Sequence, residues 1–269
     1  MKDHRKYRLG IIGCGHMGKA IARGAVAAES LARRELCVYD THPSISEFCG
    51  EEDFALMNNE KETAENAHIV LLAVKPQEID TALQHLSGAK INCLLSIVTG
   101  VSIEYIRKAL PDTPVIRAMP NTPLQIGHGS VALCRSEDCS ADDYDFVFQM
   151  FSAMGVTRTV TEDQVTEAVA VHGSTPAYFY YFAQCIIEDA VNHGWDEETA
   201  RALLVETMIG SGQLLKDNPK KPISQFVDEV CSKGGTTIEA IGKMKEMDLK
   251  KIIEDADSAC VARAKEIGR

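Results

Sequence analysis

The stretch LGIIGCGHMG, residues 9–18, decides the fold of this chain. Its short apolar run is typical of a buried strand, ends in a Gly-x-Gly-x-x-Gly pattern and leads directly into a segment of helical composition. In such a unit the first glycine permits a tight turn, the second lets the backbone approach a pyrophosphate, and the third allows close helix–strand packing. The stretch therefore predicts a dinucleotide-binding turn formed by Ile12, Gly13, Cys14, Gly15, His16, Met17 and Gly18.

The glycine turn opens a series of strands and helices that alternate along the first part of the chain. Strands are predicted at 9–12, 35–39, 69–74, 93–98, 115–119 and 131–134, with helices at 19–31, 79–86 and 102–110. The run 69–74 is continuously apolar, as expected of a parallel strand buried on both faces. The alternation predicts an α/β fold, namely an N-terminal Rossmann domain over residues 1–162 built on a doubly wound parallel sheet.

The character of the sequence changes after this first domain. Helical periodicity without strand alternation predicts helices at 164–171, 177–193, 196–216, 223–230, 236–244 and 249–267. No linker rich in proline, glycine or serine separates the two parts, so we expect them to pack directly. The second predicted domain, residues 163–269, is therefore all-helical.

Composition excludes several classes of function and partner. The formal net charge of -11 argues against nucleic acid or an anionic membrane as a partner. Nine cysteines without CxxC spacing indicate reduced core thiols, so neither a disulfide framework nor a metal site is predicted. The charged N-terminus has no apolar signal region, and no apolar run is long enough to span a membrane. We therefore expect a cytoplasmic protein.

Asp40 ends the second predicted strand, about 20 residues after Gly18, where a dinucleotide fold places an acid against the adenosine ribose. A carboxylate there repels the 2′-phosphate of NADP, which favours NADH. Thr41 or His42 could still hold that phosphate, so both NADH and NADPH remain candidates. An exposed turn aspartate without a cofactor role is the alternative interpretation.

Three further segments follow predicted strands at the sheet edge where such folds bind ligands. Pro76 stops one strand, and Gly100 allows close backbone approach to the nicotinamide. Lys75 suits a cofactor contact but equally a solvated strand end. The segments add these predicted cofactor contacts: Ala73, Val74, Lys75, Pro76, Thr99, Gly100 and Asn121.

The segment Gly234-Gly235-Thr236-Thr237 joins two predicted helices. Its glycines leave several backbone N–H groups pointing at one place beside the threonine hydroxyls, which suits a small carboxylate. An ordinary helix N-cap explains the same residues equally simply.

The motifs together resemble the pyrroline-5-carboxylate reductase family in order and spacing, from about residue 8 to about residue 265. They are residues 13–18, 73–76, 119–123, 173–178 and 234–237, of which the last two are the most specific. The resemblance implies a Rossmann domain and a helical domain that forms a homodimer through interlocking helices, often within larger rings. It also implies reduction of 1-pyrroline-5-carboxylate to L-proline with NADPH or NADH, the last step of proline biosynthesis.

The resemblance also implies roles for individual residues. The substrate carboxylate would bind backbone N–H groups of Gly235, Thr236 and Thr237, with Ser174 as a further substrate contact. Thr237 is the catalytic candidate, through hydrogen bonding or proton donation at the ring nitrogen. A cyclic iminium is already electrophilic, so positioning supplies most of the rate and no metal is expected.

Four residues depart from the pattern of the family. The family reads Ser-Gly-Ser-Gly-Pro-Ala-Tyr where residues 172–178 read HGSTPAY, which introduces His172 and Thr175. Lys233 replaces a proline, and Asn218 stands near the place of an acidic residue in some members. His172 is either a tolerated substitution or a titratable group that alters specificity or pH dependence.

These departures keep other functions open. One is a reductase of another cyclic imine. A second is a β-hydroxyacid dehydrogenase, although its second-domain catalytic lysine region has no clear match. The third is a catalytically weak dinucleotide-binding regulator.

Overall fold

The computed structural model describes residues 5–268 and contains an eight-stranded sheet. The strands are β1 (Tyr7–Ile12), β2 (Leu36–Tyr39), β3 (Ala55–Leu56), β4 (Ala67–Leu72), β5 (Cys93–Ser96), β6 (Val115–Pro120), β7 (Gly129–Arg135) and β8 (Gly155–Thr159). Their order in the sheet is β3-β2-β1-β4-β5-β6-β7-β8. All six predicted strands are present, and the doubly wound α/β architecture is confirmed.

The sheet differs from the prediction in that β7 runs antiparallel to β6. Only a short 3-10 turn, Thr122–Ile126, separates the two strands. A parallel crossover needs a dozen or more residues, so this connection permits only an antiparallel pair. The sequence also gave no signal for β3, which is two residues long, or for β8, whose residues are mostly exposed.

Seven helices accompany the strands in sequence order. They are α1 (His16–Ala27), α2 (Ile45–Glu52), α3 (Glu60–Asn66), α4 (Ile79–Leu86), α5 (Ile103–Ala109), α6 (Ala141–Ser152) and α7 (Glu162–Ala168). The predicted cap of α5 is present, since the Ser102 side chain accepts a hydrogen bond from the Tyr105 N–H. Helices α2, α3 and α6 were not predicted from periodicity.

Two apolar clusters cover the opposite faces of the sheet. Ile69 and Leu71 of β4 belong to one cluster, and Val70 and Leu72 belong to the other. Alternate side chains of a strand point to opposite faces, so all four are buried only when both faces are covered. This explains why the run is continuously apolar.

The remaining helices are α8 (Thr175–Asn192), α9 (Glu197–Asp217), α10 (Ile223–Val230), α11 (Thr236–Glu246) and α12 (Leu249–Ile267). They agree with the predicted all-helical part within a few residues. No helix within residues 5–268 is long and apolar enough to cross a membrane.

The chain divides into two compact units. One contains the residues up to Pro176 together with those from Ala259 onward, and the other contains Ala177–Ser258. Helix α7 stays with the first unit because it packs on β6 and β7. The predicted boundary after residue 162, between a cofactor-binding domain and a substrate-binding domain, stays a prediction.

Candidate functional site

Two glycines of the turn between β1 and α1 are required by the packing of the chain around the turn. Gly13 has a φ of +86°, and a Cβ there would lie 2.7 Å from the Val74 backbone nitrogen. A Cβ on Gly18 would collide with the Gly13 carbonyl oxygen. The first and third glycines therefore allow the turn to form and the helix to pack on the strand, as predicted.

Gly15 is different, because nothing in the described chain requires a glycine there. A Cβ on Gly15 would meet no atom of the described residues within 4 Å, and its φ of -69° suits any residue. Gly15 is also the N-cap of α1, which has no side-chain cap and no acidic residue in its first turn within the described residues. Open space beside uncapped N–H groups is the geometry that a pyrophosphate needs.

The carboxyl ends of the central strands meet beside this turn. The Gly13 N–H donates to the Tyr39 carbonyl oxygen at 3.0 Å, and the Ala73 N–H donates to Ile12 at 2.8 Å. The Ile97 N–H in turn donates to Leu72 at 3.1 Å. The turns that follow β1, β4 and β5 are therefore tied to neighbouring strand ends, and the predicted cofactor residues at 12–18, 73–76 and 99–100 follow one edge of the sheet.

Asp40 is held in place by two backbone groups. Its Oδ2 accepts from the Cys14 N–H at 2.5 Å, and its Oδ1 accepts from the His42 N–H at 2.7 Å. The carboxylate is thus fixed at the glycine turn rather than free in a loop, and each oxygen keeps a lone pair for a ribose hydroxyl. Thr41 and Lys75 are exposed.

The Cys14 thiol lies in the same turn but is not a reactive nucleophile. Burial raises the pKa of Cys14 to about 12, so the thiol stays protonated at neutral pH. Cys14 therefore contributes its backbone N–H to the turn, not a nucleophile.

Asn121, the remaining predicted cofactor residue, joins three parts of the first unit. Its Nδ2 donates to the His172 carbonyl oxygen at 3.1 Å, and its Oδ1 accepts from the Ser130 N–H at 2.8 Å. The buried amide thus braces the end of β6 against β7 and the turn before α8. Direct contact with a cofactor stays a prediction.

Ser174 follows a π-helical turn, Val169–Gly173, that leads into α8. Its N–H donates to the Val169 carbonyl oxygen at 2.7 Å, and its Oγ accepts from the Cys260 thiol at 3.3 Å. The Thr175 hydroxyl donates to Ala170 at 2.8 Å and closes the same turn. π-Helical turns are often found at functional sites.

His172 lies in this turn with an unusual environment. Both of its ring nitrogens are buried and find no hydrogen-bond partner within residues 5–268. Burial lowers the pKa of His172 from its ordinary value, because it penalises the charged ring. The ring is therefore favoured in its neutral form.

The Gly234-Gly235-Thr236-Thr237 loop lies in the second unit. Gly234 has a φ of +73°, and the Gly235 N–H donates to the Ser232 carbonyl oxygen at 2.9 Å. Helix α11 begins at Thr236 with Gly235 as N-cap, and no described side chain caps it. The N–H groups of the first turn of α11, at Thr236 and at the half-buried Thr237, therefore have the local geometry predicted for binding a carboxylate. Lys233 is exposed.

Sequence reasoning missed an ion pair between a buried arginine and a half-buried glutamate in the first unit. The Arg117 guanidinium, with 3% of its side chain exposed, contacts Glu162 at 2.8 Å. The same Glu162 oxygen accepts from the Ile103 N–H at 2.7 Å, so it links β6, α5 and α7. An arginine inside a predicted buried strand was the available signal, since a buried charge requires a partner. Cys260 gave no signal, because its partner Ser174 is distant in sequence.

All nine cysteines are free thiols. Residues 5–268 contain no group of three or more His, Cys, Asp or Glu side chains placed to hold a metal ion.

Two family profiles match the chain. Residues 162–267 match pyrroline-5-carboxylate reductase dimerisation, and residues 8–100 match NADP oxidoreductase coenzyme F420-dependent. The chain is 33% identical over 264 residues to a pyrroline-5-carboxylate reductase from Synechocystis, covering 97% of this chain and 98% of that protein. It is 28% identical to the Escherichia coli enzyme of the same name, covering 97% and 98%.

Solved structures give the same result. A Plasmodium falciparum pyrroline carboxylate reductase with NADP bound superposes with a TM-score of 0.89 at 26% identity, covering 99% of this chain and 100% of that one. A pyrroline-5-carboxylate reductase from Coxiella burnetii gives 0.86 at 29% identity, covering 98% and 100%. Similarity therefore extends over both units and both predicted sites. The chain belongs to the pyrroline-5-carboxylate reductase family.

Proposed function

We propose that this chain is an NAD(P)H-dependent oxidoreductase that reduces 1-pyrroline-5-carboxylate to L-proline in proline biosynthesis. The observation that carries the proposal is the pair of uncapped helix starts, at Gly15 for a pyrophosphate and at Gly235 for a carboxylate. Whole-length similarity to enzymes of that name supports the choice of substrate.

Each proposed site residue has a physical task. The N–H groups at the start of α1 bind the pyrophosphate, and Asp40 binds the adenosine ribose. The N–H groups of Thr236 and Thr237 hold the substrate carboxylate, and the Gly235 N–H joins them only when it leaves the Ser232 carbonyl oxygen. Ser174 is a further substrate contact. The Thr237 hydroxyl forms a hydrogen bond at the ring nitrogen, where the product needs a proton.

The reduced nicotinamide supplies the hydride for the C=N bond when it is bound. The substrate is electrophilic as an iminium, so the chain needs only to orient the carbon, keep water out and hold the nitrogen proton. The groups proposed to bind the substrate are consequently backbone N–H groups and hydroxyls.

Asp40 favours NADH over NADPH in this proposal. Its carboxylate is fixed at the glycine turn, and in the proposed ribose contact a 2′-phosphate would bring a second negative charge beside it. The NADP-bound Plasmodium falciparum relative shows that family membership by itself does not exclude NADPH.

We further propose a homodimer, with larger rings as an extension, built on the region that matches the dimerisation profile. The apolar side chains exposed on α8 and α9 support this assembly. We also propose a cytoplasmic location, since nine unpaired thiols suit a reducing compartment.

The proposal is tested by following oxidation of NADH and of NADPH with 1-pyrroline-5-carboxylate and with other cyclic imines. We expect the highest kcat/KM with 1-pyrroline-5-carboxylate and NADH. Higher efficiency with another imine would instead favour the substrate change that His172, Thr175 and Lys233 suggest. Tight dinucleotide binding without turnover of any imine would indicate a regulator.

Thr237→Val and Thr236→Val form a matched pair for the catalytic assignment. The first removes the hydroxyl assigned to the ring nitrogen, and we expect kcat to fall about a hundredfold. The second removes a neighbouring hydroxyl on the same helix turn and should change kcat far less. Equal losses in both variants would refute the assignment to Thr237.

A further inference from the structure

The last turns of α12, which belong to the first unit, present a face of small residues to the rest of that unit. Cys260, Ala264 and Gly268 are spaced by four residues, which places them on one side of a helix. Ala264 is 3% exposed and belongs to an apolar cluster with Met119 and Val165. The Gly268 N–H continues the helical pattern by donating to the Ala264 carbonyl oxygen at 2.9 Å.

One end of this face contacts the turn after β5 through backbone atoms. A Cβ on Gly100 would lie 2.7 Å from the Gly268 Cα, and it would also collide with the Ala264 carbonyl oxygen. A Cβ on Gly268 would lie 2.7 Å from the Gly100 carbonyl carbon. Two glycines are therefore needed for a close approach at the turn assigned to the nicotinamide.

The other end of the face contacts the serine assigned to the substrate. The Cys260 thiol donates to the Ser174 Oγ at 3.3 Å. A hydroxyl has one hydrogen and two lone pairs, so accepting from the thiol leaves the Ser174 hydrogen free to be donated elsewhere. The contact thus restricts the directions in which Ser174 can donate.

We propose that Cys260, Ala264 and Gly268 are positioning residues, which hold Ser174 and the Gly100 turn in a set geometry along one face of α12. Eight residues of helix separate the two contacts, a span of about 12 Å. Hydride transfer requires the nicotinamide and the substrate carbon in near contact, and a shift of about 1 Å can cost about a hundredfold in rate. The inference rests on the proposed function. It adds to that reaction three residues that lie outside the proposed cofactor-binding and substrate-binding loops.

The first test compares Gly268→Ala with Gly50→Ala. A Cβ on Gly268 enters the Gly100 backbone, whereas a Cβ on Gly50 of α2 meets no atom of the described chain within 4 Å. We expect Gly268→Ala to lower kcat about tenfold, because the turn is displaced. The dinucleotide Kd should stay within about twofold, since the pyrophosphate turn is untouched, and Gly50→Ala should match the wild type.

The second test compares Cys260→Ala with Cys260→Ser. Loss of the donor should raise the KM for the imine about fivefold, while the serine hydroxyl replaces the thiol donor and restores the wild-type KM. Cys134→Ala is the control for packing, because Cys134 lies in the same apolar cluster. It should lower the melting temperature and leave the imine KM unchanged.

Two results would overturn the inference alone. One is a kcat for Gly268→Ala equal to that of Gly50→Ala. The other is a Cys260→Ser enzyme as impaired as Cys260→Ala, with both effects following the melting temperature. A wild-type enzyme that turns over no imine overturns the proposed function and this inference together, so the wild-type assay tells the two failures apart.

Discussion

The two compact units bury their apolar side chains in different ways. In the sheet unit, Leu71 and Phe151 are fully buried by the single chain. In the helical unit, Tyr181 is 68% exposed and Ile209 is 60% exposed. Among the described residues of α8, α10 and α11, none is buried.

The difference shows where each site obtains its rigidity. The sheet unit has a complete core, so the glycine turn and Asp40 are fixed by contacts within one chain. The helical unit leaves a large apolar surface that a folded protein rarely exposes to water, and its sequence matches a dimerisation family. We therefore expect the Gly234–Thr237 loop to depend on assembly, and the cofactor turn to be independent of it.

The largest effect is expected for Val205→Asp on α9 compared with Val156→Asp on β8. The two valines have similar exposed fractions, 42% and 47%, in different units. An unpaired carboxylate in an apolar interface costs several kcal/mol, so Val205→Asp should raise the dimer dissociation constant about a hundredfold or more. Val156→Asp should leave it unchanged, as measured by sedimentation. An unchanged dimer dissociation constant in Val205→Asp would refute the proposed assembly through the apolar face of α9.

The next effect concerns the cofactor turn. Gly15→Ala should raise the dinucleotide Kd about tenfold or more, because its Cβ occupies space assigned to the pyrophosphate. Its melting temperature should stay at the wild-type value, whereas Gly18→Ala should lower both stability and affinity. Calorimetric titration and thermal unfolding measure the two quantities. Wild-type affinity in Gly15→Ala would show that the open space is not the phosphate site.

A smaller effect is expected for the choice of cofactor. Asp40→Ser removes the negative charge at the ribose, and the ratio of kcat/KM for NADPH to that for NADH should rise about tenfold. Asp40→Asn keeps one acceptor oxygen for the Cys14 N–H and loses the one for the His42 N–H, so it removes the charge with less damage to the turn than Asp40→Ser does. An unchanged ratio in both variants would refute the assignment of NADH preference to Asp40.

The smallest effect is a pH dependence of stability at His172. Burial holds its folded-state pKa below the ordinary 6.5, so the unfolded chain takes up a proton before the folded one. The contribution of neutral His172 to the free energy of unfolding is thus fully present above pH 6.5, and it is lost as the pH falls through the folded-state pKa. His172→Ser and His172→Gln should each lose less stability between about pH 8 and about pH 5 in urea unfolding. Parallel losses in wild type and variants would contradict this.

Sequence reasoning succeeded where a local pattern carries the physics. The glycine spacing at 13, 15 and 18 identified the turn, and the continuous apolar run identified β4 as a strand buried on both faces. It failed where partners are distant, because the Arg117–Glu162 pair and the Cys260–Ser174 contact each join residues that no local window contains. The antiparallel β7 was missed for another reason, since the short connection after β6 determines it and the prediction did not use the length of that connection. The position of each glycine in the pattern also predicted its reason, since Gly13 and Gly18 serve the fold and Gly15 leaves open space.

The sequence by itself determined the α/β class, the order of the two regions and the places of the glycine-rich motifs, because helix periods, strand runs and glycine turns are local properties. Only the tertiary structure decided which motifs meet. It tied Asp40 to the Cys14 N–H, buried the nitrogens of His172 without partners among residues 5–268, and placed the end of α12 against Gly100 and Ser174. Such contacts depend on how segments that are distant in sequence pack together, so no local sequence pattern predicts them.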